Sequence, residues 1–237
     1  MDYIDSTSFF EINPHFKVTR KIVFGETILI YDNILTEKSF NNLDKISDNF
    51  PKTLFLPNYY NQNGKTYIDA RTTLEFKNNY LMMNFLLNQI FQHFNGLNVS
   101  WFEYLVINFS KSIEPKKNMI GNIPHYDQED FASVLFFDDI EGNGTGFYKT
   151  KTGMHLILNK TDEDISFCNK FLDYGYDYYF TQKDFETFYD EMEFIQAKKN
   201  RLLIYRGRML HGAVHNENMF KNNFRKSIIT FHRVMRN

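Results

Sequence analysis

Apolar positions follow two rhythms along the chain, and the change of rhythm divides it near residue 98. In the first part, KIVFGETILIYDN (21–33) alternates on either side of Gly25 and predicts strand, turn, strand. Thr36 is placed to cap a helix through about Asn49, with Phe40, Leu43 and Ile46 on one stripe. A second helix is expected over 78–94. There Leu81, Phe85, Asn88 and Phe91 form no clean stripe, and Met82, Leu86 and Ile90 spread the apolar surface round much of the circumference. That pattern predicts a helix well buried on most sides. From Trp101 the apolar runs become short, aromatic and β-branched: WFEYLVINF, SVLFF, GFYKT, MHLIL, RLLIY and SIITFH, separated by Gly, Pro, Asn and Asp. Such spacing belongs to an antiparallel sandwich or barrel. One helical interlude is expected at about 181–198. Thr181 and Asp184 form its capping box, and Phe185, Phe188, Tyr189, Met192 and Ile195 follow at helical spacing. The favoured place for it is the outer surface of the sheet; a lid over a substrate is the alternative.

Composition narrows this picture without changing it. Of the 237 residues, 43% are hydrophobic and 18% aromatic, with 26 Phe and 15 Tyr, which supplies a large core. No linker, repeat or charge run divides the sequence, so 1–237 is read as one domain: N-terminal strands and supporting helices over 1–98, the β-rich core over 99–237. Lys and Arg (27) nearly balance Asp and Glu (29), so no nucleic-acid partner is expected. The single cysteine, Cys168, excludes an internal disulfide and suits a reducing compartment; a buried or incidental thiol is favoured over a nucleophile. The opening residues lack a signal peptide, and no run is long enough to span a membrane. A soluble cytoplasmic protein is expected, of unassigned oligomeric state.

The candidate chemistry begins at IPHYD (123–127). On an extended segment His125 and Asp127 point to the same side and can hold one metal ion together. A third ligand is needed. His211 follows the strand LLIY and the turn RGR, and a polar loop then leads into a strand beginning Arg225-Lys226-Ser227. Arg225 and Ser227 share one face of that strand, where a guanidinium fork beside a hydroxyl suits a carboxylate. His215 rivals His211 as the distal ligand. His93 is read as a surface or core histidine.

Together these segments resemble the Fe(II)- and 2-oxoglutarate-dependent dioxygenases, whose pattern is H-x-D, a distant His, then an Arg or Lys beyond it. NRLLIYRGRMLHGAV looks like the family's strand, turn and distal ligand, and RKSIITF like its co-substrate strand. GNGTGFYKTKTG (142–153) is similar to a Gly-Gly-Thr-x-Phe segment of the prolyl-hydroxylase-like branch. The resemblance runs from about Trp101 to Val234. It implies a double-stranded β-helix, or jelly-roll/cupin-like core, flanked by N-terminal helices and carrying one inserted helix. It also implies His125, Asp127 and His211 as ligands of Fe(II), the facial pattern of non-haem iron oxygenases. Arg225 and Ser227, with Tyr104, would hold 2-oxoglutarate. With O₂ the expected reaction is hydroxylation of an amino-acid side chain, free or in a peptide, with release of succinate and CO₂. Retention of Asp127 favours hydroxylation over halogenation. Thr145 and Tyr148 are candidate pocket residues, Arg71 a candidate substrate contact, and Arg206 and Arg208 a candidate positive rim. Arg225 lies fourteen positions after His211 (225 − 211 = 14), longer than the family's habit, whereas His215 gives ten (225 − 215 = 10). The rival class is a non-catalytic cupin-like module that binds a metal or small molecule.

Overall fold

A computed structural model describes residues 9–49, 56–57, 70–75, 80–94, 99–110, 119–127, 129–157, 180–216, 219 and 225–234. The predicted hairpin comprises β1 (Lys17–Val23) and β2 (Glu26–Asp32). Its two-residue turn puts Phe24 and Gly25 at φ 50° and 86°, the left-handed pair that matches strand twist. Helix α1 (Glu37–Asn49) follows, with the backbone N–H of Ser39 donating to Thr36 Oγ1 as the cap predicts. Phe40 and Leu43 are buried on its inner stripe. After the short strands β3 (Leu56–Pro57) and β4 (Ala70–Glu75) comes α2 (Tyr80–His93). This helix departs from expectation: Met82, Leu86 and Ile90, with Phe94 just beyond, form one buried stripe, while Leu81 and Phe91 remain half exposed. The i, i+4, i+8 set won because a single sheet face is available for burial.

The remaining strands are β5 (Val99–Ser110), β6 (Met119–Gly121), β7 (Phe131–Phe136), β8 (Gly144–Thr150), β9 (Phe180–Thr181), β10 (Tyr189–Gln196), β11 (Arg201–Arg206), β12 (His211–Val214) and β13 (Arg225–Val234). They form two antiparallel sheets ordered β1-β2-β11-β7-β13-β5-β4-β3 and β10-β8-β12-β6-β9. From β5 to β8, and again from β10 to β13, each successive strand changes sheet. That alternation is the expected jelly roll. The protein is mainly β, and β1 and β2 simply extend the larger sheet.

Side-chain alternation then sorts three apolar layers. Ala132, Val134 and Phe136 of β7, Phe147 of β8, Ile195 of β10, and Leu203 and Tyr205 of β11 point between the sheets. Phe131, Leu135, Leu202, Ile204 and Ile228 point the other way, beneath α1 and α2. Tyr148, Phe180, Tyr189 and Leu210 cover the back of the smaller sheet. Strand β7 is therefore buried on both faces and reads as an unbroken apolar run apart from Ser133. Lys226, between two inward-facing residues, reaches back to Asp44 and Asp48 and fastens α1 to β13.

Two predicted elements differ. The interlude is helical only as α3 (Gln182–Phe188), where the Thr181/Asp184 capping box is present and the helix packs outside the smaller sheet. Residues 189–196, expected to continue the helix, form β10 instead. Their backbone pairs with β8 from Tyr189↔Thr150 to Gln196↔Gly144, and a bulge after Tyr189 resets the face so that Ile195 enters the core. Helical spacing of apolar residues lost to ladder hydrogen bonds and core burial. MHLIL likewise forms no strand among the described residues, where it pairs through the isolated bridge Leu156↔Met209. None of the described helices is long and apolar enough to cross a membrane.

Candidate metal centre

Backbone pairing brings the H-x-D segment and the distal histidine together. The His125 N–H donates to the His211 carbonyl and the His211 N–H to the His125 carbonyl, both at 2.8 Å. The residues are thus directly opposed, with ring centroids 4.7 Å apart. Asp127 is pinned by its own N–H, which donates to the Gly207 carbonyl at 2.7 Å. Gly207 must be small: a Cβ there would lie 2.5 Å from the Glu129 carbonyl oxygen and 3.2 Å from Asp127 Cβ. The turn RGR therefore packs its glycine against Asp127.

The ring nitrogens divide their work. His211 Nδ1 lies 2.8 Å from the Met209 carbonyl, and His125 Nδ1 lies 3.1 Å from that of Ile123. A carbonyl only accepts, so both Nδ1 atoms carry the proton and both Nε2 atoms present lone pairs when the rings are neutral. Those Nε2 atoms face Asp127, His211 at 3.3 Å from Oδ2 and His125 at 3.8 Å from Oδ1. One ligand atom from each of the three residues lies within 4.8 Å of the others. Asp127 Oδ2 is buried and receives no hydrogen bond. Burial alone would raise the Asp127 carboxyl, but the imidazoles of His211 and His125 outweigh it and hold it below the usual range. Burial would likewise depress His211; the Asp127 charge prevails and raises it. The cluster could hold a metal cation, which would meet the buried Asp127 oxygen and both ring lone pairs at once. The side chain of His125 is 53% exposed, so this centre opens to solvent on one side.

Behind the triad, Arg225 and Ser227 lie on the inner face of β13, and both are buried. Arg225 Nε donates to Asn143 Oδ1 at 3.1 Å, its Nη2 faces the Gly144 carbonyl at 3.4 Å, and its guanidinium lies over Phe136. Asn143 is fixed in turn, its amide donating to Asp138 Oδ1 at 2.5 Å. Ser227 Oγ is buried without a hydrogen-bond partner, so an acceptor or donor is owed there. Tyr205 lies beside the triad on the inner face of β11, its ring meeting His211 edge-on at 4.8 Å. Burial first, then the Asp127 charge, drives its phenol well above its ordinary range, so it stays protonated.

The other sequence candidates separate. His215 is buried with Nε2 3.0 Å from Asn122 Oδ1, outside the three-residue cluster. Thr145 is buried on the inner face of β8. Tyr148, three positions on, has the opposite orientation and packs with Phe180 and Tyr189 behind the sheet, so it does not line the pocket. Arg206 pairs with Glu26 and Arg208 with Asp130, which offsets the expected positive rim. Tyr104 and Arg71 lie on β5 and β4 with side chains outside the described residues, as is Cys168 entirely. Sequence reasoning missed Tyr205 and Asn143. Period-two alternation along RLLIY puts Leu203 and Tyr205 on one face and offered a signal for the first; the second rests on a loop contact that no local pattern carries.

Among solved structures, the chain is similar to the crystal structure of EvdMO1, at 12% identity and a TM-score of 0.52. The match covers 98% of this chain but 62% of that one, so this chain spans less than two thirds of its length. At that identity the likeness supports the fold alone. No protein of curated function matches the sequence. A family model matches residues 15–232, nearly the whole chain, and on that match the protein belongs to a family of unknown function (DUF6445).

Proposed function

We propose that this protein is a non-haem Fe(II)- and 2-oxoglutarate-dependent dioxygenase that hydroxylates an amino-acid side chain, free or in a peptide. The observation that carries this reading is the convergence of His125, Asp127 and His211, with each imidazole anchored through Nδ1 so that Nε2 faces the Asp127 carboxylate. Two imidazoles and one carboxylate are the donor set of oxygenases that leave adjacent iron positions open. When bound, iron would supply the oxidative decarboxylation of 2-oxoglutarate by O₂ to succinate and CO₂, with the second oxygen atom going into a substrate C–H bond.

The chain's own contribution is placement. The carbonyls of Ile123 and Met209 hold the ring tautomers, and Gly207 holds Asp127. Arg225, steadied by Asn143, and the Ser227 hydroxyl would seat the far carboxylate of the co-substrate between the sheets. The inner faces of β7, β8 and β11 keep water from that end, while the exposed side of His125 leaves an approach for substrate. The hydroxylated substrate class rests on the sequence resemblance alone.

Anaerobic titration with Fe(II) and then 2-oxoglutarate tests the reading. The expected result is a weak visible charge-transfer band of the chelate, lost in Asp127→Ala and weakened about 10- to 100-fold in 2-oxoglutarate affinity in Arg225→Ala. A protein that takes Fe(II) but develops no band is a binding module instead.

A further inference from the structure

We propose that Tyr205 is a third residue of the co-substrate pocket, its phenol donating a hydrogen bond to 2-oxoglutarate between the metal triad and Arg225, its ring limiting the length of diacid admitted. This rests on the dioxygenase reading above and adds a residue to it. Tyr205 is 2% exposed on the inner face of β11, so its hydroxyl has the inter-sheet space rather than bulk water before it. The ring is fixed from two sides, T-shaped against His211 at 4.8 Å and 64° and against Phe147 at 5.1 Å and 83°. A ring so wedged has little rotamer freedom, which makes it a stiff gauge of the space beside it. Its cross-strand neighbour is Ala132, the smallest residue on that face of β7, so the adjoining strand leaves room rather than filling it.

Position along the pocket supplies the rest. The ring touches a metal-ligand residue, and Arg225 stands on the same inner face of the larger sheet, two strands away across β7. A dicarboxylate spanning the triad and the guanidinium passes Tyr205 on the way. Its anionic oxygens need donors in addition to the two charged ends, and a neutral phenol is a donor that adds no further charge to the buried site. The orphaned Ser227 hydroxyl, on the same inner face two strands away, is a second, independent sign of a polar guest.

Two variants of the full chain, loaded with Mn(II) in place of Fe(II), test this by calorimetry. Tyr205→Phe removes one oxygen and keeps the wedge. The expected result is 2-oxoglutarate affinity reduced about 5- to 10-fold with Mn(II) affinity unchanged. Tyr205→Leu removes the gauge, and the preference for 2-oxoglutarate over 2-oxoadipate, one methylene longer, should fall by at least about 5-fold. Unchanged 2-oxoglutarate affinity in Tyr205→Phe overturns the hydrogen bond, and unchanged preference in Tyr205→Leu overturns the length limit. Wild-type protein that takes Mn(II) but not 2-oxoglutarate overturns the dioxygenase reading itself, and this inference with it.

Discussion

His211 and His232 are both sealed from solvent at the walls of the same sandwich, yet their surroundings drive them in opposite directions. His232 lies on the helix-covered face of β13, where Thr230 Oγ1 contacts its Nε2 at 3.0 Å and Ser133 contacts Thr230 in turn. Burial lowers it to about 3, so the ring is neutral at any ordinary pH. His211 is buried as well, but Asp127 stands 3.3 Å from its Nε2 and the net shift is upward. The same desolvation acts on both. The neighbouring Asp127 carboxylate is what raises one histidine, while burial alone leaves the other a neutral packing group. The contrast teaches that a histidine's burial says little about its role until its Nε2 partner is known.

The contrast breaks most sharply at the metal. His211→Ala or Asp127→Ala should cost more than about 100-fold in Mn(II) or Fe(II) affinity, since even outer-sphere losses reach that range. His232→Leu should leave metal affinity unchanged, and calorimetric titration of the three variants checks both. The next effect is in acid stability. The unfolded chain takes a proton at His232 near pH 6.5, while the native chain resists until about 3. A depressed folded value in a base means that native stability is full above pH 6.5 and falls as pH drops through the window between. The slope is about 1.4 kcal/mol per pH unit, and His232→Leu should remove that share. Urea midpoints measured from about pH 7 down to about pH 4 read it directly. Metal-free His211 has the opposite sign: its raised value contributes stability below pH 6.5 that is lost as pH rises through the folded value.

A smaller effect is expected at Asn143, which steadies Arg225 as the Ile123 and Met209 carbonyls steady the histidines. Asn143→Leu removes the acceptor from Arg225 and leaves Asp138 without its donor. We expect about 1–2 kcal/mol of destabilisation by thermal melt. Affinity for 2-oxoglutarate should fall by roughly 5- to 10-fold, while metal affinity holds.

Much of this architecture was written in local patterns, and the limits of legibility have physical causes. The short β-branched and aromatic runs SVLFF and RLLIY, the hairpin at Gly25 and the Thr181/Asp184 box each reflect forces acting within a few residues, so they could be read. Strand β10 could not: FETFYDEMEFIQ carries helical spacing, and only pairing with β8, some forty residues away, turns its second half into a strand. The H-x-D segment and His211 were visible as residue types, but their meeting depends on one pair of backbone bonds across 86 positions (211 − 125). Tyr148 was misplaced for a simpler reason. Thr145 and Tyr148 differ by an odd number of residues on one strand and cannot face the same side.

The smallest expected effect makes the sharpest test, because His215 combines features of both histidines compared above. It is buried like His232 and close in sequence to the site like His211, and its spacing to Arg225 fits the oxygenase pattern better. What separates it is the partner of Nε2. Asn122 Oδ1, at 3.0 Å, accepts, so His215 Nε2 carries the proton and offers no lone pair toward the triad. Asn122 in turn belongs to the loop that delivers His125, through its N–H bond to the Ala213 carbonyl at 2.8 Å. His215→Ala should therefore retain Mn(II) with no more than about a 3-fold loss, arising from a looser His125 loop, while the melting temperature drops by a few degrees. His215→Asn, which keeps a donor for Asn122, should recover most of that melting loss. Should His215→Ala abolish metal binding while His211→Ala retains it, the ligand role passes to His215, and the rule that the Nε2 partner identifies the ligand is wrong for this fold.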